Sequence, residues 1–442
     1  MKKSAFLAAF CAVFLSGALF AKDLTISEIS DDSALRFMLA KTWFIETPRE
    51  VLQKQPITQM LDSGERVQIR VEAGPRESDE FSIIIARERN GTFPGWAQGS
   101  FILSRRISDG HAIRARVFLR SDPYTYIQFR PLDDSKSEMD ALVYDAFVTQ
   151  ALPIKLPFSR LMSSPLNEIL NMAGPQFPRR YYEPNPDDYR DVRNFVRNIR
   201  RDIKGLSFID DGAINEDGVY VFIETEKSQD GTTGLNCSGF AKWVIDGMIY
   251  PISGENLMIG ALKEPYGKRG SNFTLPFERI RDPYFGLDWT RNLAAAIGST
   301  LKSDNFASLS EIEVQNAPFS ALLVRSGQKT TIRSYPEHLA EAGFDFTGIQ
   351  PLLYSLAIDE PRYIFLGAIN TIGGRPSLRT YFHIVILVPY FDENSDFRIA
   401  IFESAEETSF NRFKTRYPGH YINLSRVPVT RDFQPFILDP QP

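Results

Sequence analysis

The sequence predicts an α+β protein in which an all-β antiparallel domain precedes a mixed domain of helices and antiparallel strands. Three observations predict it. Short apolar runs separated by turn residues fill about residues 60–158. Two amphipathic helical patterns follow, one capped at Asn185 and one at Asn236. Strand patterning then returns from Tyr363 to Val427. The 442 residues include 34 Phe and 17 Tyr, enough apolar surface for two or more domains.

The first element is expected to be removed. Met1-Lys2-Lys3 is basic, Ala5 to Phe20 is apolar, and Ala21 is a small residue before Lys22-Asp23. That is the pattern of a secretory signal over residues 1–21, with Ala18 as an alternative cleavage point. Cys11 lacks the small-residue context of a lipidation site. No later apolar run approaches the ~18–20 residues that span a bilayer. The mature chain is therefore expected to be exported, with no transmembrane segment once the signal is removed. Formal net charge is −5, and −7 without Lys2 and Lys3. A nucleic-acid binder would show a basic excess, so no nucleic-acid partner is expected.

Residues 22–158 form the β-rich, sandwich-like domain. Val67, Ile69 and Val71 alternate with polar residues, and Phe81–Ala86 is a compact apolar run. Asp109-Gly110 between Phe101–Ile107 and Ala112–Leu119 is a hairpin signal, because both turn positions tolerate positive φ. His111, just after that turn, reads as a solvent-facing strand residue. Residues 159–184 are a proline-rich connection with a short helix near Leu166–Met172. Residues 185–442 form the second domain. Its first helix has Asn185 as cap, Pro186 in the first turn, and Val192, Phe195, Val196, Ile199 and Ile203 in one stripe that Gly205 ends. Arginines 190, 193, 197, 200 and 201 lie mostly off that stripe, as a solvated face balanced by Asp191 and Asp202.

Cys237 would be the one thiol of the mature chain, which excludes an internal disulfide. It lies in Gly234-Leu235-Asn236-Cys237-Ser238-Gly239-Phe240-Ala241-Lys242-Trp243-Val244. Free cysteine is often simply buried. Here Asn236 is a good cap, which places Cys237 in a helical first turn where unpaired N–H groups and the macrodipole favour a thiolate. Phe240, Trp243 and Val244 make one packing face, and Gly247 is expected to end the helix. A thiolate nucleophile needs a base. Of the four histidines, His338 follows Pro336 at the start of an expected polar helix, and His420 follows a Pro-Gly turn. His383 interrupts the apolar run Tyr381–Val388, where an imidazole needs a polar partner or a site. A satisfied core histidine is the other reading. Glu403 ends the next strand, Phe397–Phe402, and is either the acceptor that fixes the histidine tautomer or an ordinary strand-end carboxylate. One mature thiol and four scattered histidines give no metal-ligand spacing, so neither metal nor cofactor is expected.

Asn236-Cys237-Ser238-Gly239-Phe240 with Trp243-Val244 resembles the nucleophile motif of the NlpC-type cell-wall cysteine peptidases, in the papain-like superfamily. The resemblance is specific over about ten residues. It implies a papain-like domain with a helix on an antiparallel sheet and Cys237, His383 and Glu403 as catalytic triad. Three departures stand out. Asn236 replaces the usual aspartate, no glycine closely follows the histidine, and residues 248–360 become a large insertion folding outside the catalytic core. Ser238, Tyr220 and Gln229 are the candidates to line the oxyanion site, Gln229 in the papain manner. The implied activity is hydrolysis of an amide bond, with cell-wall or other peptide as substrate, in a bacterial periplasmic or secreted location. An inactive papain-like envelope scaffold and an acyltransferase with the same thioester chemistry are the alternatives.

Overall fold

A computed structural model describes residues 22–75, 78–267, 282–301, 308–326, 329–373 and 378–437. The expected signal, 1–21, lies outside them. The fold is α+β with two large antiparallel sheets.

The N-terminal sheet is a meander. Strands β1 (Ile57–Met60), β2 (Arg66–Ala73), β3 (Glu80–Arg87), β4 (Phe101–Arg106), β5 (Ala112–Val117), β6 (Tyr126–Pro131), β7 (Ser137–Val143) and β8 (Ala146–Ile154) pair in sequence order. The Asp109-Gly110 turn joins β4 to β5, with Gly110 at φ 73°. His111 is solvent-exposed and pairs with Asp109. Two expectations change. This region is not all-β, because helix Ser33–Ala40 packs Leu35 and Leu39 onto the sheet. Nor is it a sandwich of two sheets among the described residues: all eight strands belong to one sheet.

Helix Leu166–Ala173 occupies the connection, and Pro186–Tyr189 forms a 3-10 turn leading into helix Arg190–Asp202. Asn185 Oδ1 accepts from Asp187 N. Val192, Phe195, Val196 and Ile199 are buried, and Arg201 pairs with Asp202 at the surface. A hairpin of β9 (Gly212–Ile214) and β10 (Tyr220–Phe222) then precedes the cysteine helix.

That helix runs Cys237–Ser253, longer than expected. Gly247 does not stop it. A side chain there would sit 2.6 Å from the Phe433 ring, so this glycine serves close packing. Gly254, at φ 76°, is the cap.

Segment 248–360 is not an excursion outside the core. Strands β11 (Ala321–Ser326) and β12 (Lys329–Ser334) join the N-terminal sheet, with β11 on β8, bringing it to ten strands. Helix Phe285–Leu301 buries Trp289, Leu293 and Ile297 in the same core as the cysteine helix. No helix follows Pro336; Leu339 instead bridges to Gly343, and the next helix is Ile349–Asp359.

The second sheet contains β13 (Phe344–Asp345), β14 (Tyr363–Gly373), β15 (Leu378–Phe391), β16 (Phe397–Glu403), β17 (Glu406–Thr408) and β18 (Tyr421–Pro428), ordered β13-β18-β14-β15-β16-β17. Helices cover both faces. Ile384, Ile386 and Val388 join the core of Phe240, Val244 and Trp289. Val385 and Leu387 join Leu352, Leu356 and Phe413. This double coverage explains why the β15 sequence is apolar at consecutive positions. No helix among the described residues is long and apolar enough to cross a membrane.

Candidate active site at Cys237

The loop before Cys237 is held by a buried amide. Gln229 Oε1 accepts from Gly234 N at 2.8 Å, and its Nε2 donates to Val221 O at 2.8 Å and Gly234 O at 3.0 Å. Both N–H bonds of that amide are spent on the loop. Gln229 is therefore a clamp and has no donor left for an oxyanion, which corrects the papain-style expectation. Asn236 N donates to Gly212 O at 3.0 Å, and a Cβ on Gly239 would meet that carbonyl at 2.0 Å. Glycine at 239 lets the helix start lie directly on β9.

Asn236 caps the helix by accepting from Gly239 N at 2.8 Å. Cys237 is the first helical residue, half-buried and free. No protein acceptor meets the N–H groups of Cys237 and Ser238 among the described residues. They point where a first helical turn binds negative charge. Ser238 is buried with Oγ 4.0 Å from the sulfur, and its carbonyl accepts from Trp289 Nε1 at 3.0 Å. The Trp289 bond pins the helix start from the segment expected to be an insertion.

The structure brings Cys237, His383 and Glu403 together. His383 sits where β15 extends beyond β16, whose pairing with it begins at Ile386. The register with β14 also shifts there, between Ile369 and Asn370. The His383 imidazole and the backbone N–H of Ile384 both face the Cys237 thiol, and each favours its ionised form. His383 Nε2 lies 3.0 Å from Glu403 Oε2, which leaves Nδ1 as the ring atom for the thiol. Arg416 Nη1 and the Tyr417 hydroxyl also donate to Glu403 Oε2, at 2.6 and 3.1 Å, and the Tyr417 ring stacks on His383 at 5.9 Å.

Electrostatics set the protonation states. Burial alone would raise the thiol, but the hydrogen bond and charge of His383, with help from Ile384 N–H and Ser238, hold it below its ordinary value. Burial alone would discharge His383, but bonds to Cys237 and Glu403 raise it to about 9. Burial opposes ionisation of Glu403 too, and is outweighed by His383, Arg416 and Tyr417, so its carboxyl titrates low. At neutral pH His383 is thus an imidazolium, set between a thiol whose ionisation it favours and the Glu403 carboxylate.

The other candidates lie elsewhere. His420 is half-buried with Nδ1 on Pro418 O, and its ring meets Phe382 and Tyr417 rather than the sulfur. His338 packs its ring on Phe344. Tyr220 accepts Gln229 N through its backbone, and burial raises its phenol. Sequence reasoning missed Arg416 and Tyr417. The signal it passed over is the Ser409 cap, which starts the helix Phe410–Arg416 that delivers them.

Comparison with known proteins adds one family. Residues 25–181 match DUF8515, a domain of unknown function. That segment covers the eight-strand meander and the connection, and stops before the cysteine helix. No curated protein and no solved structure matches the chain.

Proposed function

We propose that the chain is an exported thiol hydrolase of papain-like type that cleaves an amide bond in cell-wall peptide. The observation that carries the reading is the alignment of Cys237, His383 and Glu403, with His383 hydrogen-bonded to Glu403, a lowered thiol at a helix N-terminus and an imidazole kept protonated beside it. The cysteine helix packed on the histidine strand supports the papain-like assignment. The short motif around Cys237 supports the cell-wall substrate, and the basic-then-apolar start of the chain supports export.

The chemistry follows from the geometry. The Cys237 thiolate attacks the carbonyl carbon and forms the C–S bond. The oxygen takes up the negative charge beside the free N–H groups of Cys237 and Ser238. His383 gives its proton to the departing amine as the C–N bond breaks, leaving a thioester. Neutral His383 then takes a proton from water, whose oxygen attacks the thioester carbonyl. Collapse releases the acid and restores thiolate and imidazolium. Glu403, clamped by Arg416 and Tyr417, keeps the ring oriented through both proton transfers.

The test is mass spectrometry of cell-wall peptides after incubation with the chain and with its Cys237→Ala variant. Cleavage by the first and none by the second is expected, with a mass increase on Cys237 in trapped intermediates. A thiol that alkylates readily while no peptide is cut would defeat the hydrolase reading. Products carrying an added amine in place of water would identify an acyltransferase.

A further inference from the structure

A cavity of about 310 Å³ opens between the N-terminal sheet and the start of β16. That volume is at the lower end of the range that holds small ligands, about 300–1,000 Å³. It does not belong to the thiol site. Phe397 in its wall and Glu403 in the triad are opposite ends of β16, six residue steps or roughly 20 Å apart.

Its wall is charged in both senses. Arg120 is 4% exposed and lines the cavity. Its Nη2 contacts the Ser395 carbonyl and lies 3.7 Å from Asp23, while the guanidinium stacks over Phe391 at 5.1 Å. No acceptor meets its Nε or Nη1 among the described residues. A buried guanidinium with free donors facing a cavity calls for an anionic group. Asp122 and Asp396 face the same space, and burial raises both carboxyls. Asp396 is already paired with Arg89 and Arg398, at 3.6 and 3.1 Å, which leaves Asp122 to meet a cation while Arg120 meets an anion.

The aromatic wall is anchored by a tight turn. Tyr144 at φ 46° and Asp145 at φ 64° form the two-residue hairpin turn between β7 and β8, for which positive φ is the ordinary geometry. The Tyr144 ring packs on Tyr354 and Phe397 at 5.4 and 5.6 Å.

We propose that this cavity binds a small zwitterion, either a free amino acid or a short peptide, with the carboxylate on Arg120 and the ammonium beside Asp122. Such binding is independent of the thiol chemistry. Isothermal titration calorimetry of the full chain with alanine, alanyl-alanine, acetate and methylammonium tests it, the first two separating the free amino acid from the peptide. Saturable binding of alanine or the dipeptide is expected, about tenfold or more tighter than either single-charge probe. Arg120→Met should abolish it. Because that change also cuts a structural contact, Asp122→Asn carries the test if the first variant does not fold. It should weaken the zwitterion by about tenfold while strengthening acetate. No saturable heat from either zwitterion, or acetate binding as tightly as alanine, would overturn the proposal.

Discussion

At Cys237 the proton inventory decides reactivity. Alkylation rate against pH should show a midpoint below the free-thiol value of ~8.5. His383→Ala should move that midpoint upward, since burial then acts on the thiol unopposed, and should lower any hydrolysis by about 10²–10⁴-fold. His420→Ala should do neither. The histidine also links stability to pH. Its folded value of about 9 lies above its ordinary 6.5, so its stabilisation is complete below 6.5 and fades as pH rises through 9. Urea midpoints of the chain and of His383→Gln, compared from pH 6 to 10, should converge towards the alkaline end. A gap that widened there would mean the imidazole is neutral in the fold. Cys237 and His383 were legible in the sequence because each breaks its local pattern: a thiol in a capped first turn, an imidazole in an apolar strand. Arg416 and Tyr417 were not, because nothing local ties the end of their helix to a carboxylate on β16.

Among the elements, the approach loop and helix start are the most sensitive to change. Gln229→Ala would strand two buried carbonyls and one N–H, at about 1–3 kcal/mol for each unsatisfied group. Denaturant midpoints should fall, and thiol reactivity should fall with them as the cap loosens. Gly239→Ala sets a methyl against the Gly212 carbonyl and should lower both more severely. If either variant kept full stability, the clamp would have no structural role. Strands β14, β15, β16 and β18 were legible from their apolar runs, and helix Arg190–Asp202 from its stripe and cap. Gly247 was misread because a glycine signals both helix ends and close contacts, and the Phe433 ring that fills the space is 186 positions away in sequence. The helix expected after Pro336 failed because Leu339 pairs back to Gly343 around a positive-φ turn.

For the whole molecule, the two sheets share one continuous core. Leu35, Phe129, Phe240, Trp289 and Ile386 all belong to it. Thermal unfolding should therefore be a single cooperative transition seen alike by Trp fluorescence and far-ultraviolet circular dichroism. Residues 22–158 expressed alone should lose cooperativity, since they would lack β11 on β8 and the buried Tyr182, whose hydroxyl meets Leu142 O at 3.1 Å. Two separate transitions would show instead that the β region folds by itself. Class and strand content were legible at this scale. The joining of β11 to β8 was not, because pairing across such a sequence separation leaves no trace in local pattern.

That late pairing imposes an order of events on biogenesis. Phe147 finds its strand partner Ala321 only after 174 further residues have been made. At about 5–20 residues per second, β8 waits roughly 10–35 s with its backbone edge bare. Bare edges recruit other chains. A ribosome-bound copy of this chain is thus most exposed to self-association before residue 334, and an early stop between 154 and 320 should yield more aggregate than the full sequence does.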